Sequence, residues 1–348
     1  MSDHLELVKR AIEFKKPQHL PLEVLDVPFI YDAYKTLDSK NVLLIPGTED
    51  FDSIWVQGFW FPQEIGKNDL GEAIRKDEYG ILTKVPKDMN SAYVIIEEPL
   101  RGKSSLKNYT FPTKEGAVKY FDNFKKIISS RYPDRFINSH IDPAAFLTAS
   151  FLMGTDELYL KMASDINFVV EVVEHIFEYH YSLIKEFAKC GSHMVTYLDE
   201  FAGSTGMMFN PEIWRKYFKK YFSKFFKLVH EEGMYGAICL DGNFSAIIDD
   251  LLEMELDVIQ CPETKAIGLD TLLNKVKGKK CLKCGVDMMH TLSLGKPVDV
   301  YNEAKKVVEM LGSKDGGFIA VAVRWHRPEY PAENVKASVK AFNEYRKS

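Results

Sequence analysis

Seven apolar runs in this chain stop at residues able to do chemistry. They end near Glu23 and Asp26; His140 and Asp142; Tyr197, Asp199 and Glu200; Cys239 and Asp241; Cys261 and Glu263; Asp287 and His290; and Arg324 and His326. If the runs are strands of one sheet, these acids, thiols, imidazoles and a guanidinium share a rim. Such a collection suits general acid–base or metal chemistry. The plainer role for each carboxylate is to cap the helix that follows it.

One stretch, ICLDGNF (238–244), is the sharpest case. Cys239 and Asp241 are two apart, so in a strand they point to the same face. Zinc accepts both thiolate and carboxylate, and a protein site usually takes a third ligand from elsewhere; His140, Glu263 and Cys261 are the candidates. Cys281 and Cys284 do not form a zinc knuckle, because no second pair exists and residues three apart in a strand face opposite sides. His175 and His180 are five apart on a helix and so read as structural. The run RKYFKKYFSKFFK (215–227) has its cations and aromatics at helical spacing, which reads as a solvated face over core.

Residues 20–27 (LPLEVLDV) form an apolar run that reads as the first strand. An irregular region follows over 28–113. From residue 114 onward a rhythm of helix and strand begins, with Asp165 capping a helix that Gly191 ends and Asn210-Pro211-Glu212 opening another. Strands alternating with helices predict βα units and a parallel sheet. Seven strands are plain, and an eighth is expected near 145–155. No GxGxxG turn follows a strand, which argues against a dinucleotide-binding sheet. The expected class is therefore α/β, a (β/α)8 TIM barrel with an N-terminal elaboration. It forms a single domain over 1–348, with 28–113 near the barrel mouth, and active residues sit at the carboxyl ends of the strands.

The bulk properties agree with a large core. Of 348 residues 46% are hydrophobic and 13% aromatic, and the formal net charge is −5. That balance argues against a nucleic-acid binder. No run is long and apolar enough to span a membrane. The amphipathic start and five scattered cysteines lead us to expect a reducing, cytoplasmic setting.

Several stretches resemble the uroporphyrinogen decarboxylase superfamily, whose barrel also serves corrinoid-linked methyltransferases. They are EEPLRGKSSLKNYTFP (97–112), FLMGTDELYLKMASD (151–165), YLDEFAGSTGMMFNPEIWRKYFKKY (197–221), CLDGN (239–243), LDVIQCPE (256–263), CGVDMMHTLSLGKP (284–297) and YPAENVKASVKAF (330–342). The decarboxylases carry an arginine-bearing N-terminal motif that grips substrate carboxylates. The matching region here, LPLEVLDVPFIYDAY (20–34), holds no arginine. CLDGN is instead similar to a His-x-Cys-Gly-Asn or His-x-Asp-Gly-Asn stretch of the methyltransferase branch. Cys239 falls at its His position and Asp241 at its Cys position, while the late metal-binding cysteine falls near Arg324. The family's zinc pattern is thus altered.

The resemblance implies methyl transfer between a small methylated substrate, such as an aryl methyl ether or a methylamine-like compound, and a corrinoid protein that brings its own cobalamin. Trp55, Trp60, Phe61 and Trp325 would wall the mouth, with Tyr197 and Glu200 beside the substrate. Asp241 or Asp199 would assist the leaving heteroatom, or a zinc ion held by Cys239, Asp241 and Glu263 would do so. His140 and His326 would carry protons, and Arg324 would hold a substrate carboxylate. The alternatives are a carboxy-lyase on the same scaffold and a catalytically silent barrel that binds a ligand or partner.

Overall fold

In a computed structural model of the chain, residues 3–25, 51–57, 62–85, 93–260, 262–321 and 330–346 are described. Eight strands form the centre: β1 Leu22–Leu25, β2 Ser53–Gln57, β3 Phe136–Ile141, β4 Met194–Asp199, β5 Tyr235–Leu240, β6 Val258–Gln260, β7 Cys281–Cys284 and β8 Phe318–Val321. Each pairs in parallel with the next, and β8 returns to β1, closing the barrel. Helices lie outside it, among them Lys114–Arg131, Ile166–Cys190, Lys219–Glu231, Pro297–Leu311 and Ala332–Arg346. Among the described residues, no helix is long and apolar enough to cross a membrane.

The eighth strand is not where the sequence placed it. The window 145–155 contains the helix Ala145–Met153, and the missing strand is SIWVQ, Ser53–Gln57, inside the region read as irregular. The reason is burial. The 145–153 helix has Ala145, Phe146, Thr148, Ala149, Leu152 and Met153 all buried, which leaves no polar stripe to betray a helical period. Ser53–Val56 is likewise buried throughout and shows no alternation. The same region also holds a four-stranded antiparallel sheet, Gln63–Lys67, Ala73–Lys76, Leu82–Val85 and Val94–Glu97.

Other local expectations hold. The Asp165 side chain accepts from the Phe168 amide, and Gly191 closes the helix in the left-handed conformation at φ 91°. Asn210 caps the Glu212 amide ahead of Pro211. In the 215–227 segment Phe218, Tyr221, Phe222, Phe225 and Phe226 are buried, while Arg215 and Lys219 pair with Asp250 and Lys224 with Glu178.

Alternation along the strands sorts side chains into barrel interior and helix layer. The floor of the interior is Phe136, Met194, Ala237, Val258, Cys281 and Ile319, closed from below by Val8, Ala11 and Ile12 of the helix Asp3–Ile12. Asp52 ties this end together: its carboxylate pairs with Arg346, takes the Leu22 amide at 2.9 Å and meets His4 Nδ1 at 2.8 Å. The upper layer contains Trp55, Leu198, Cys239 and Val321. Between floor and upper layer the inward residues are polar.

Candidate active site

The middle of the barrel is a buried polar network. Glu23 of β1 and Lys283 of β7 pair directly, and each is at most 1% exposed. A charge at such depth is tolerated only when it is matched and hydrogen-bonded. Ser53 Oγ donates to Glu23 at 2.7 Å, and Asn138 Nδ2 lies 3.2 and 3.3 Å from the two carboxylate oxygens. Asn138 Nδ2 also reaches Gln260 Oε1 at 3.2 Å and His140 Nε2 at 3.0 Å, and Gln260 Nε2 reaches the same imidazole nitrogen at 3.1 Å. Trp55 stacks on His140 with ring centroids 4.0 Å apart. The chain thus brings together two of the expected residues, His140 and Trp55, at the top of a hydrogen-bonded column that descends to Glu23 and Lys283.

The rim residues are placed less uniformly. Asp199 is fully buried, and its oxygens accept from the amides of Phe146 at 3.1 Å, Leu147 at 2.9 Å and Glu200 at 3.0 Å. It anchors the start of the 145–153 helix, so the capping role describes it. Burial pushes its pKa up to about 7 from 3.8, against the lowering effect of those amides. Tyr197 does not line a substrate cavity as expected. On β4, Thr196 and Leu198 face inward, so Tyr197 enters the helix layer, stacked on Phe177 at 5.2 Å and hydrogen-bonded to His180 Nδ1 at 3.0 Å. His180 is itself buried between Tyr197 and Tyr79, and burial lowers its pKa to about 3. Glu200 is exposed at the rim. Asp142 and Glu200 lie close enough to the largely buried Tyr93 for their charges to add to the burial that raises its phenol.

Cys239 and Asp241 lie in different surroundings. Cys239 faces the interior, packed with Trp55, Leu198 and Val321. Asp241 is half-buried just past the end of β5, and the Glu263 carboxylate takes the Gly242 amide at 3.1 Å. Gly242 has φ +71°, and a Cβ there would stand 2.5 Å from the carbonyl oxygens of Ala202 and Gly203. The glycine is required because the β4 loop presses against this turn. Trp60, Phe61, Cys261, Arg324, Trp325 and His326 lie outside the described residues. Asp287 is a helix cap, accepting from the His290 and Thr291 amides.

The uroporphyrinogen decarboxylase (URO-D) family profile matches residues 87–345, most of the chain. The chain belongs to the uroporphyrinogen decarboxylase family. No curated protein matches it. Among solved structures, a methyltransferase from Methanosarcina mazei is similar at 18% identity, with TM-score 0.60 over 77% of this chain and 76% of that one. A B12-independent methionine synthase from Shewanella sp. W3-18-1 aligns at 10% identity and TM-score 0.44, covering 81% and 76%. At 18% identity the likeness to the Methanosarcina mazei protein extends to the fold alone, in keeping with the closed eight-stranded barrel.

Cys239, Asp241 and Glu263, all among the described residues, do not gather as metal ligands in this URO-D family barrel. Among the described residues, no group of three His, Cys, Asp or Glu side chains is placed to hold a metal ion. Cys239 is sealed in apolar packing and Glu263 holds a backbone amide, so the trio Cys239, Asp241 and Glu263 does not fit zinc. Five interior residues were not singled out from the sequence: Ser53, Asn138, Thr196, Gln260 and Lys283. Their signal was present. A lysine inside the short run CLKC and the alternation Asn138-x-His140 both put polar groups where a buried strand should be apolar.

Proposed function

We propose that this URO-D family barrel moves a methyl group between a small methylated substrate and a corrinoid carried by a partner protein. One observation carries the reading: the polar interior is charge-matched. Among the described residues its cation is Lys283, already paired with Glu23, and its other hydrogen-bonding groups are neutral amides, two hydroxyls and an imidazole. A porphyrinogen with several carboxylates calls for guanidinium forks. A small methylated phenol or amine calls instead for a few neutral hydrogen bonds and an aromatic wall, which Trp55 stacked on His140 provides.

In this reading the corrinoid is a co-substrate that takes or gives the methyl group. As the methyl leaves the substrate, the bond pair stays on the heteroatom, which must gain a proton or a hydrogen bond because an alkoxide or phenoxide is a poor leaving group. We assign that task to His140, supported by Asp241 at the rim. Asp199 is withdrawn from it because its oxygens hold three backbone amides.

The test is a spectrophotometric methyl-transfer assay. The purified chain is mixed with cob(I)alamin and a panel of methylated phenols and amines. Turnover with at least one donor is expected, and His140→Gln is expected to slow it about 10²-fold or more. Absence of transfer across the panel, together with decarboxylation of a polycarboxylated tetrapyrrole, would replace this reading by the carboxy-lyase one.

A further inference from the structure

The hydrogen-bonded column beneath His140 has a direction. Glu23, ion-paired with Lys283, offers only acceptor oxygens to Asn138. Asn138 must therefore turn its amino group to the carboxylate; the reversed amide would set oxygen against oxygen. Thr196 Oγ1 secures the opposite side, 2.7 Å from Asn138 Oδ1. The second N–H of Asn138 is then left for His140 Nε2 and Gln260 Oε1. The Thr196 hydroxyl has one hydrogen, given to Asn138, so the Asn138 amino group 3.2 Å from Gln260 Oε1 is what orients Gln260, whose own amino group is then directed at His140 Nε2. All of these side chains are buried, so water does not compete for the contacts.

We propose that Asn138 and Gln260 are positioning residues that fix the tautomer of His140, and that the Glu23–Lys283 pair orients them. An imidazole nitrogen facing two N–H donors is an acceptor, so the neutral ring carries its proton on Nδ1. Trp55, stacked at 18° to the ring, holds its plane. A pair of charges on β1 and β7 thereby determines which nitrogen of a β3 imidazole is the donor. The tautomer follows from the network alone; its use in releasing a leaving heteroatom rests on the methyl-transfer reading.

The experiment is long-range proton–nitrogen NMR on the full chain with ¹⁵N-labelled histidine at pH 7.5, with the His140 signals identified by their loss in His140→Gln. The wild-type ring is expected to show a protonated, pyrrole-type Nδ1 and an unprotonated, pyridine-type Nε2. Asn138→Asp replaces the donor by an acceptor and is expected to move the proton to Nε2. Glu23→Gln removes the orienting charge and is expected to reduce the Nδ1–H share. A wild-type ring protonated at Nε2 overturns the proposal, as does an unchanged pattern in a folded Asn138→Asp protein. Should that variant not fold, the isosteric Gln260→Glu makes the same comparison. The expected spectrum without activity toward cobalamin would sink the methyl-transfer reading and leave the tautomer assignment standing; activity with the opposite tautomer would do the reverse.

Discussion

Replacing Asp199 by Asn separates its capping role from its charge. Oδ1 accepts two amides and Oδ2 one, so the asparagine keeps its oxygen toward Leu147 and Glu200 and turns its amino group to the Phe146 amide. One buried N–H is then unmet, a loss of about 1–3 kcal/mol. Ionisation opposes this. The folded carboxyl holds its proton up to about pH 7, whereas an ordinary aspartate releases it near 3.8. Between those values the native state binds more protons than the unfolded state, so the wild-type contribution is complete below the lower value and is lost as pH rises through the upper one. Integrated from pH 5 to 8, the loss is about 2–3 kcal/mol. The variant lacks this titration. Urea unfolding of both proteins at pH 5, 6, 7 and 8 should therefore show wild type ahead at pH 5 and the gap closing or reversing by pH 8. A wild-type advantage that widens with pH would mean that the three amides outweigh burial and that the carboxylate is charged throughout.

Further outcomes are open to measurement. Gly242→Ala should lower stability by more than about 2 kcal/mol, because the left-handed conformation alone costs a non-glycine residue about 1–2 kcal/mol and the new Cβ would collide with two carbonyls; a melting temperature within a degree of wild type would contradict this. Lys283→Met should cost about 3–5 kcal/mol by leaving Glu23 buried and unmatched, and adding Glu23→Leu should restore most of it; a double variant no better than the single one would deny the pair its role. Cys190, Cys239, Cys281 and Cys284 are all buried free thiols, so a thiol reagent should label at most one of the five cysteines quickly in the native protein and all five in denaturant. Fast labelling of two or more thiols would refute the packing around Cys239.

The βα rhythm after residue 114 was legible because outer helices carry a polar stripe and several have a cap or glycine stop, Asp165 and Gly191 among them. The barrel followed from that rhythm. What escaped were elements without an exposed face: Ser53–Val56 and Ala145–Met153 show no period that separates strand from helix. The rim rule located His140 and Cys239 correctly on the inward face. It failed for Tyr197 because the rule reads position along a strand and not the parity of the pleat, and one residue decides between cavity and helix layer. The interior network was hidden because its members come from β1, β2, β3, β4, β6 and β7, and no short motif spans them.

The helix Asp3–Ile12 stoppers one end of the barrel with Val8, Ala11 and Ile12, so among the described residues that end is closed. On the methyl-transfer reading proposed above, the small methylated molecule and the corrinoid-bearing partner would then share the opposite end. The small molecule would settle first with the bulky reactant as a lid above it, and an excess of the larger reactant should obstruct the smaller.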